Sequence, residues 1–378
     1  MSLPDHSIEW ILLSTGGGML VIQLLYFLLI FLRVWTGKRT EPDDDEYATP
    51  VSVVVAARNE KENLKELIPL LYEQDHPNFD VVVVNDRSWD GSDEILEALQ
   101  REFVDLHVIT IDESQFNQHQ LGKKLAITLG IKGAQHEHLI FTDADCRPLS
   151  KKWLRYMSAP FTDQEDLVLG YSPVKKRSSF VNLLARFDTS LTAVQYIGYA
   201  RAGIPYMGVG RNMGYSSDLY YEVGGFKRHY ALASGDDDLF VNEASRLTGA
   251  YVVDHPESWV QTEAPLKWKA WWRQKRRHMT TGGRYRLIHK FLLITYPVTY
   301  LGWLLSGLLL LSEQELWLWG VIVLGTRSLA QWIIFTGSMN RLGTIETGLL
   351  APVLEPLWML IMFLIQTTNR IRQPNTWK

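Results

Sequence analysis

Long apolar runs occupy both ends of the chain, and short ones recur through its middle. Residues 10–32 are nearly all apolar, with Gln23 the main polar exception. A helix of that length, at about 1.5 Å per residue, spans a hydrocarbon core of roughly 30 Å. It exceeds a signal-peptide core, and no small-residue cleavage site follows it. It is also longer than the usual helix of a globular core, roughly 8–20 residues. Arg33, Lys38 and Arg39 come directly after it, so the positive-inside rule puts the next domain in the cytoplasm. Three more apolar stretches follow at residues 291–311, 316–335 and 349–365. The last two carry Arg327 and Glu355, and ionisable groups at membrane depth either serve a function or pair with one another. Four full spans would send the C-terminus to the far side, whereas Arg370, Arg372 and Lys378 favour the cytoplasm. Residues 349–365, interrupted by Pro352 and Pro356, are therefore the candidate for re-entry.

The middle of the chain reads differently. Residues 41–46 form an acidic, Pro-containing linker. Residues 51–56 (VSVVVA), 81–84, 107–111 and 139–142 are short β-branched runs of the kind that form strands buried on both faces. Between them, residues 60–72, 95–103 and 123–133 have helical spacing. Strands alternating with helices imply right-handed crossovers and a mostly parallel sheet. Ligands of such sheets bind beyond the carboxyl ends of the strands. That directs attention to Arg58-Asn59-Glu60, Asn85-Asp86 and Asp143-Ala144-Asp145.

Composition narrows the chemistry. The net charge of −4 gives no sign of nucleic-acid binding. Cys146 is the single cysteine, so no internal disulfide exists and a reducing compartment fits. Asp143 and Asp145 at a strand end repel one another unless a cation or water separates them, and Mg²⁺ or Mn²⁺ would relieve this while holding phosphates. An ordinary acidic loop is the alternative. Asp86 closes the second strand and could bond a base or ribose, while Ser88 and Asp90 suit a turn and helix cap. Gly122-Lys123-Lys124 opens a helix, where a lysine either binds a diphosphate with the free N–H groups or is simply solvated. Gly235-Asp236-Asp237-Asp238 crowds three carboxylates, which should push at least one pKa upward and suits a general base, with a calcium-type surface loop as the rival.

Residues 268–278 (WKAWWRQKRRH) put Gln274, Arg277 and His278 on one helical face and Trp268, Trp271 and Trp272 roughly opposite, at about 100° per residue. One face would reach a diphosphate and the other a membrane interface. A basic helix that binds only anionic lipid competes with this reading. Phe180, Leu184, Phe187, Leu191 and Val194 form another apolar stripe, interfacial or core.

Taken in order, these segments resemble the membrane-bound family 2 glycosyltransferases of GT-A fold, among them cellulose, chitin and hyaluronan synthases and ceramide glucosyltransferases. The resemblance runs from about Pro50 to His278. Arg58-Asn59-Glu60 is similar to the family's N-E turn. Residues 85–90 are similar to D-D-x-S-x-D, with Asn85 for the first Asp. Gly122-Lys123 is similar to G-K, and Asp143-Ala144-Asp145 to D-x-D. Residues 208–212 with Gly224-Gly225-Phe226 resemble the acceptor-side G-x-G-x-N and G-G-F pair. Gly235-Asp236-Asp237 with Leu239 and Asn242 resembles G-D-D-x-x-L-x-N. Gln274-Lys275-Arg276-Arg277-His278 resembles Q-x-x-R-W with histidine replacing the tryptophan that relatives associate with the acceptor sugar.

The resemblance implies an integral membrane, multi-pass enzyme with a cytoplasmic catalytic domain, and an inverting transfer from a nucleotide-sugar, usually a UDP-sugar. Asp237 would be the base. Asn59, Glu60, Asp86, Lys123, Asp143, Gln274, Arg277 and His278 would bind the donor. Asp145 and Asp143 would hold Mg²⁺ or Mn²⁺, and Gly210, Asn212 and Asp236 would lie on the acceptor side. The acceptor would be a membrane lipid or lipid carrier, or a glycan if the enzyme is instead a processive polysaccharide synthase. A non-catalytic regulator on the same fold would lack reason to keep both aspartate motifs and Arg277. The expected layout is an anchor at 1–40, a GT-A domain at 50–255, an interfacial helix segment at 256–290, a C-terminal membrane region at 291–366 and a basic tail at 367–378.

Overall fold

The computed structural model describes residues 5–39, 41–42, 48–112, 114, 122–162, 165–230, 232 and 234–371. Most of the acidic linker and the tail residues Arg372 and Lys378 lie outside the described residues. The apolar runs of the middle region do form strands. They are β1 (Val51–Ala57), β2 (Phe79–Asn85), β3 (Leu106–Thr110) and β4 (His138–Asp143); β1, β2 and β4 run slightly beyond their apolar runs, and β3 starts and ends one residue earlier than expected. Shorter strands follow: β5 (Cys146–Pro148), β6 (Leu167–Gly170), β7 (Met213–Ser216), β8 (Tyr251–Val253) and β9 (Val260–Thr262). The main sheet has the order β3-β2-β1-β4-β7-β6-β8. Its first four strands are mutually parallel. Strand β7 runs antiparallel to β4 and β6, and β8 is parallel to β6. Strands β5 and β9 pair separately.

Alternation of side chains explains the layers. Val51, Val53 and Val55, with Val81 and Val83, face Leu64, Leu67, Ile68, Leu71, Leu96 and Leu99 of the Lys61–Tyr72 and Ser92–Glu102 helices. Val82 and Val84 face the other way, onto Leu125 and Ala126 of the Lys123–Gly133 helix. Each fully buried valine contributes about 1.5–3 kcal/mol, which is why runs without polar alternation become central strands. The register sets Ala57 opposite Asn85 and Ala56 opposite Asp143. The carboxyl edge of the sheet therefore presents these positions side by side.

The Phe180–Arg201 helix belongs to the core. Leu184, Phe187, Leu191 and Val194 are buried, and only Phe180 of the stripe is exposed. It lies against the end of the first membrane helix, where a side chain at Gly198 would come within 2.8 Å of the Ile30 carbonyl oxygen.

Four helices are long and apolar enough to cross a membrane: Glu9–Thr36, Leu287–Ser312, Trp317–Arg341 and Ala351–Ile371. The prolines do not interrupt the last one. Pro352 sits in its first turn, where no N–H is required, and the helix continues through Pro356. Arg327 and Glu355 pair at 2.8 Å inside the bundle. The guanidinium also donates to Gln23 at 3.2 Å and Gln331 at 2.6 Å. It lies over the rings of Tyr300 and Trp303 at 4.6 and 4.8 Å. Gln23, the polar exception of the first span, donates in turn to the Tyr296 carbonyl at 2.9 Å. Mutual pairing is thus what these ionisable groups do.

Candidate active site

At the carboxyl edge, the loops after β1 and β2 are stitched together. Asn59 and Arg87 both adopt left-handed backbone conformations, with φ of 55°, a region that asparagine tolerates better than most residues. The Asn59 N–H donates to Ser88 Oγ at 2.8 Å, and the Trp89 N–H donates to Asn59 Oδ1 at 2.9 Å. Ser88 donates to Asn85 Oδ1 at 2.5 Å, so it joins loops rather than capping a helix. Asp90 does serve the next helix, accepting from the Ser92 N–H at 3.1 Å, and also accepts from the Lys61 N–H at 3.0 Å. Asp86 is buried, and its carboxylate receives Arg87 Nε at 2.6 Å. Glu60 accepts from Asn63 at 2.6 Å and bears electrostatically on Asp145.

Lys123 is the hub. Its ammonium lies 2.9 Å from Asp143 and 2.9 Å from Asp236. Burial opposes the charge, but Asp143, Asp236 and Asp237 outweigh it and hold the lysine well above its usual pKa. One side chain thus joins the end of β4 to the Gly235–Asp238 loop.

Three consecutive aspartates there occupy three different states. Burial would raise Asp236, yet the Lys123 charge and hydrogen bond keep it below the usual carboxylate value. Asp237 is raised, first by burial and then by Asp236. It accepts from the Gly210 N–H at 3.1 Å and the Asp238 N–H at 2.8 Å. The approach of Gly210 is close, since a Cβ there would lie 3.3 Å from Asp237 Cβ. Asp238 is pushed up to about 7 by burial and by Asp237. It accepts hydrogen bonds from Thr281 and, at 2.6 Å, from the Tyr285 hydroxyl.

Asp143 and Asp145 offer carboxylate oxygens that, together with Cys146 Sγ, all lie within 4.8 Å of one another. Enclosure, then Asp143 and Glu60, raise Asp145, the strain a divalent cation would relieve. Two carboxylates are the hard donors Mg²⁺ and Mn²⁺ prefer. Cys146 is buried, and burial pushes its thiol well up, so it stays protonated and adds no thiolate. The donor set therefore fits a hard cation.

The C-terminal end of the Trp268–His278 helix brings His278 within the electrostatic reach of Lys123 and Arg211. Gln274 and Arg277 lie on its partly exposed side. His278 is open to solvent on one side and walled by protein on the others. That enclosure, followed by the charges of Lys275, Arg277, Arg211 and Lys123, holds its imidazole well below the usual value. The tryptophan face departs from expectation, because Trp271 is buried in the main core and only Trp268 is exposed. The helix is fastened by Lys275 to Asp188 and by Arg276 Nε to Asn369 at 2.9 Å.

Asn212 corrects another expectation. Instead of lining an acceptor site, it is fully buried. Its Oδ1 accepts from Trp153 Nε1 at 3.0 Å, and its Nδ2 donates to the carbonyls of Tyr171 and Ser258 at 2.7 and 2.9 Å. Two residues not singled out from the sequence belong to the site. Arg211 donates to Ser172 at 2.8 Å and bears on Asp145 and His278. Lys124 is buried and donates to the carbonyls of His229, Leu232 and Ser234 at 2.9, 2.8 and 2.6 Å, clamping the approach to Gly235. Burial lowers its pKa to about 8. Their only sequence signals were adjacency, Arg211 inside the 208–212 motif and Lys124 beside Lys123.

Residues 52–224 match the family described as Glycosyl transferase family 2. The chain carries a family 2 glycosyltransferase domain. Among curated relatives, the glycosyltransferase AglE of Haloferax volcanii is 31% identical over 106 residues, 28% of this chain and 33% of that protein. The match thus spans only a third of that relative's length. The probable glycosyltransferase YdaM of Bacillus subtilis is 22% identical over 372 residues, 92% of this chain and 81% of that one. Among solved structures, the mannosyltransferase PcManGT of Pyrobaculum calidifontis, in complex with GDP-Man and Mn²⁺, aligns with a TM-score of 0.56 and 19% identity. That alignment covers 92% of this chain and 99% of that one. It places the glycosyltransferase domain and its sheet in the GT-A fold.

Proposed function

We propose that this glycosyltransferase moves one sugar, with inversion, from a nucleoside diphosphate sugar to a hydroxyl of a membrane lipid or lipid carrier on the cytoplasmic side. The observation that carries the proposal is the Lys123 bridge, because it ties the Asp143–Asp145 edge to the loop holding Asp237. Donor and acceptor chemistry then share one cleft.

In this reading Asp237 takes the proton of the acceptor hydroxyl. The acceptor oxygen bonds to the anomeric carbon as the carbon–diphosphate bond breaks on the opposite face, which inverts configuration. The raised pKa of Asp237 suits a base. Its position is set by the Gly210 and Asp238 N–H groups. Lys123 and Arg277 face the negative charge of the departing diphosphate. Asp143 and Asp145 would hold Mg²⁺ or Mn²⁺, which supplies further charge neutralisation to that leaving group. A neutral His278 offers the acceptor a hydrogen bond. UDP-sugars are the proposed donors. GDP-mannose is the competing reading, favoured by what the Pyrobaculum calidifontis neighbour holds.

The test is transfer by purified protein across a panel of UDP- and GDP-sugars. Asp237→Asn should lose about 10²- to 10⁴-fold in turnover while binding the nucleotide normally, and EDTA should stop transfer until Mn²⁺ or Mg²⁺ returns. More than half of normal turnover in Asp237→Asn, or full activity in excess EDTA, removes the corresponding assignment.

A further inference from the structure

The fourth apolar helix begins and ends in places a crossing helix would not. Arg341, at the end of the Trp317–Arg341 helix, pairs with Asp254 of the catalytic domain at 2.6 Å. That end therefore marks the catalytic side. The chain then turns back along the same helix. Thr344 meets Ser190 at 2.8 Å, and a side chain at Gly348 would come within 2.7 Å of Thr336 Cα. The Ala351 carbonyl accepts from Gln331 at 3.1 Å, and Glu355 meets Arg327. From Arg341 back to Gln331 the third helix descends about 15 Å, roughly half of a hydrocarbon core. The Ala351–Ile371 helix thus starts near mid-depth.

Its later residues return to the catalytic domain. Trp358 Nε1 donates to Asp188 Oδ1 at 2.8 Å, on the Phe180–Arg201 helix of the catalytic domain. Asn369 accepts from Arg276 Nε at 2.9 Å and donates to the Arg276 carbonyl at 2.8 Å. The helix therefore climbs back and ends beneath the turn that carries Arg277 and His278. Val353, Leu360, Phe363, Leu364 and Ile371 are exposed along its outer face. Their continuity with the exposed apolar faces of the neighbouring spans names the occupant, the acyl region of the leaflet on the catalytic side.

We propose that Ala351–Ile371 is a re-entrant helix that rises obliquely through that leaflet, so that the chain crosses the bilayer three times. Arg370 then lies on the same side as the catalytic domain, which removes the conflict between apolar segments and terminal basic charge. The helix also braces the Gln274–His278 segment against lipid.

Two measurements on the full chain test this. The lone Cys146 is buried, so single cysteines are introduced at exposed Lys152, Glu313 and Arg370 and challenged with a membrane-impermeant maleimide on sealed vesicles of known orientation. Arg370→Cys should label with Lys152→Cys, and Glu313→Cys should label only from the opposite face. Labelling of Arg370→Cys with Glu313→Cys overturns the proposal, as does labelling of Lys152→Cys and Glu313→Cys from one face. The second measurement places a fluorophore at Val353, Leu360 or Ile371 and quenches it with lipids brominated at different depths. Re-entry makes Val353 deepest and Ile371 shallowest. A crossing helix makes Leu360 deepest with both ends shallow, and that result sinks the proposal. Neither readout depends on transferase activity.

Discussion

At the scale of single residues, the Gly235–Asp238 loop shows how position converts one side-chain type into three chemistries. Asp236 is held charged by Lys123, Asp237 is raised and aimed by Gly210, and Asp238 titrates near neutrality in a buried pocket of hydroxyls. The crowding was legible in the run of three aspartates. How it is divided was not, because Lys123, Thr281 and Tyr285 come from distant parts of the chain. Asp238 permits a pH prediction. Its folded pKa of about 7 lies above the ordinary carboxyl value of 3.8. The stability it contributes is therefore fully present below the unfolded pKa and lost as pH rises to about 7. Asp238→Asn, which keeps a polar group but cannot ionise, should gain in Tm on the wild type between about pH 4 and 7, with the difference level above that. Thermal unfolding in detergent across that range is the measurement. A pH-independent difference would mean that Asp238 is not neutral in the fold.

At the scale of elements, the parallel half of the sheet was readable because strands buried on both faces need continuous valine. The short strands β5 to β9 were not, since three or four residues carry too little pattern. Their placement depends on tertiary partners. Asn212 illustrates this. Its motif pointed to an acceptor site, but the fold uses its amide to join Trp153, Tyr171 and Ser258. Trp271 differs for the same reason, because its helix turns that ring into the core rather than toward a membrane surface. The consequence is testable. Asn212→Ala strands buried polar groups that cost about 1–3 kcal/mol each. The variant should unfold several degrees lower, at roughly 2–4 °C per kcal/mol for a domain of this size. Protein that remains folded should bind nucleotide, and show KM for the acceptor, as wild type does. An unchanged Tm with a raised acceptor KM would restore the acceptor-side role.

At the scale of the whole molecule, the interior of the membrane bundle is filled. Arg327, Glu355, Gln23, Gln331 and Tyr296 satisfy one another, and Phe27, Tyr300 and Trp303 surround the guanidinium. The sequence announced both charges, and their pairing needed only the helices' packing. Arg327→Leu should leave Glu355 buried without a partner and destabilise by about 3–5 kcal/mol, whereas the double variant with Glu355→Leu should recover most of that. Detergent unfolding curves of the three proteins decide it, and equal loss in single and double variants would refute the pairing argument.

The filled bundle also bears on the product. A polysaccharide passing through it would need hydrogen-bond partners for every hydroxyl, and an unsatisfied polar group away from water costs several kcal/mol. Among the described residues, aromatic rings and an engaged ion pair occupy the middle of the bundle, where such a path would run. The proposed acceptor therefore stays in the leaflet, its hydroxyl presented to Asp237 beside the Trp268–His278 helix and above Ala351–Ile371. Purified protein given radiolabelled donor and a membrane lipid extract should place label in an organic-soluble species bearing one added sugar. Label found only in long, water-soluble polymer would show that chains export through an assembly of several copies, and would replace single transfer with processive synthesis.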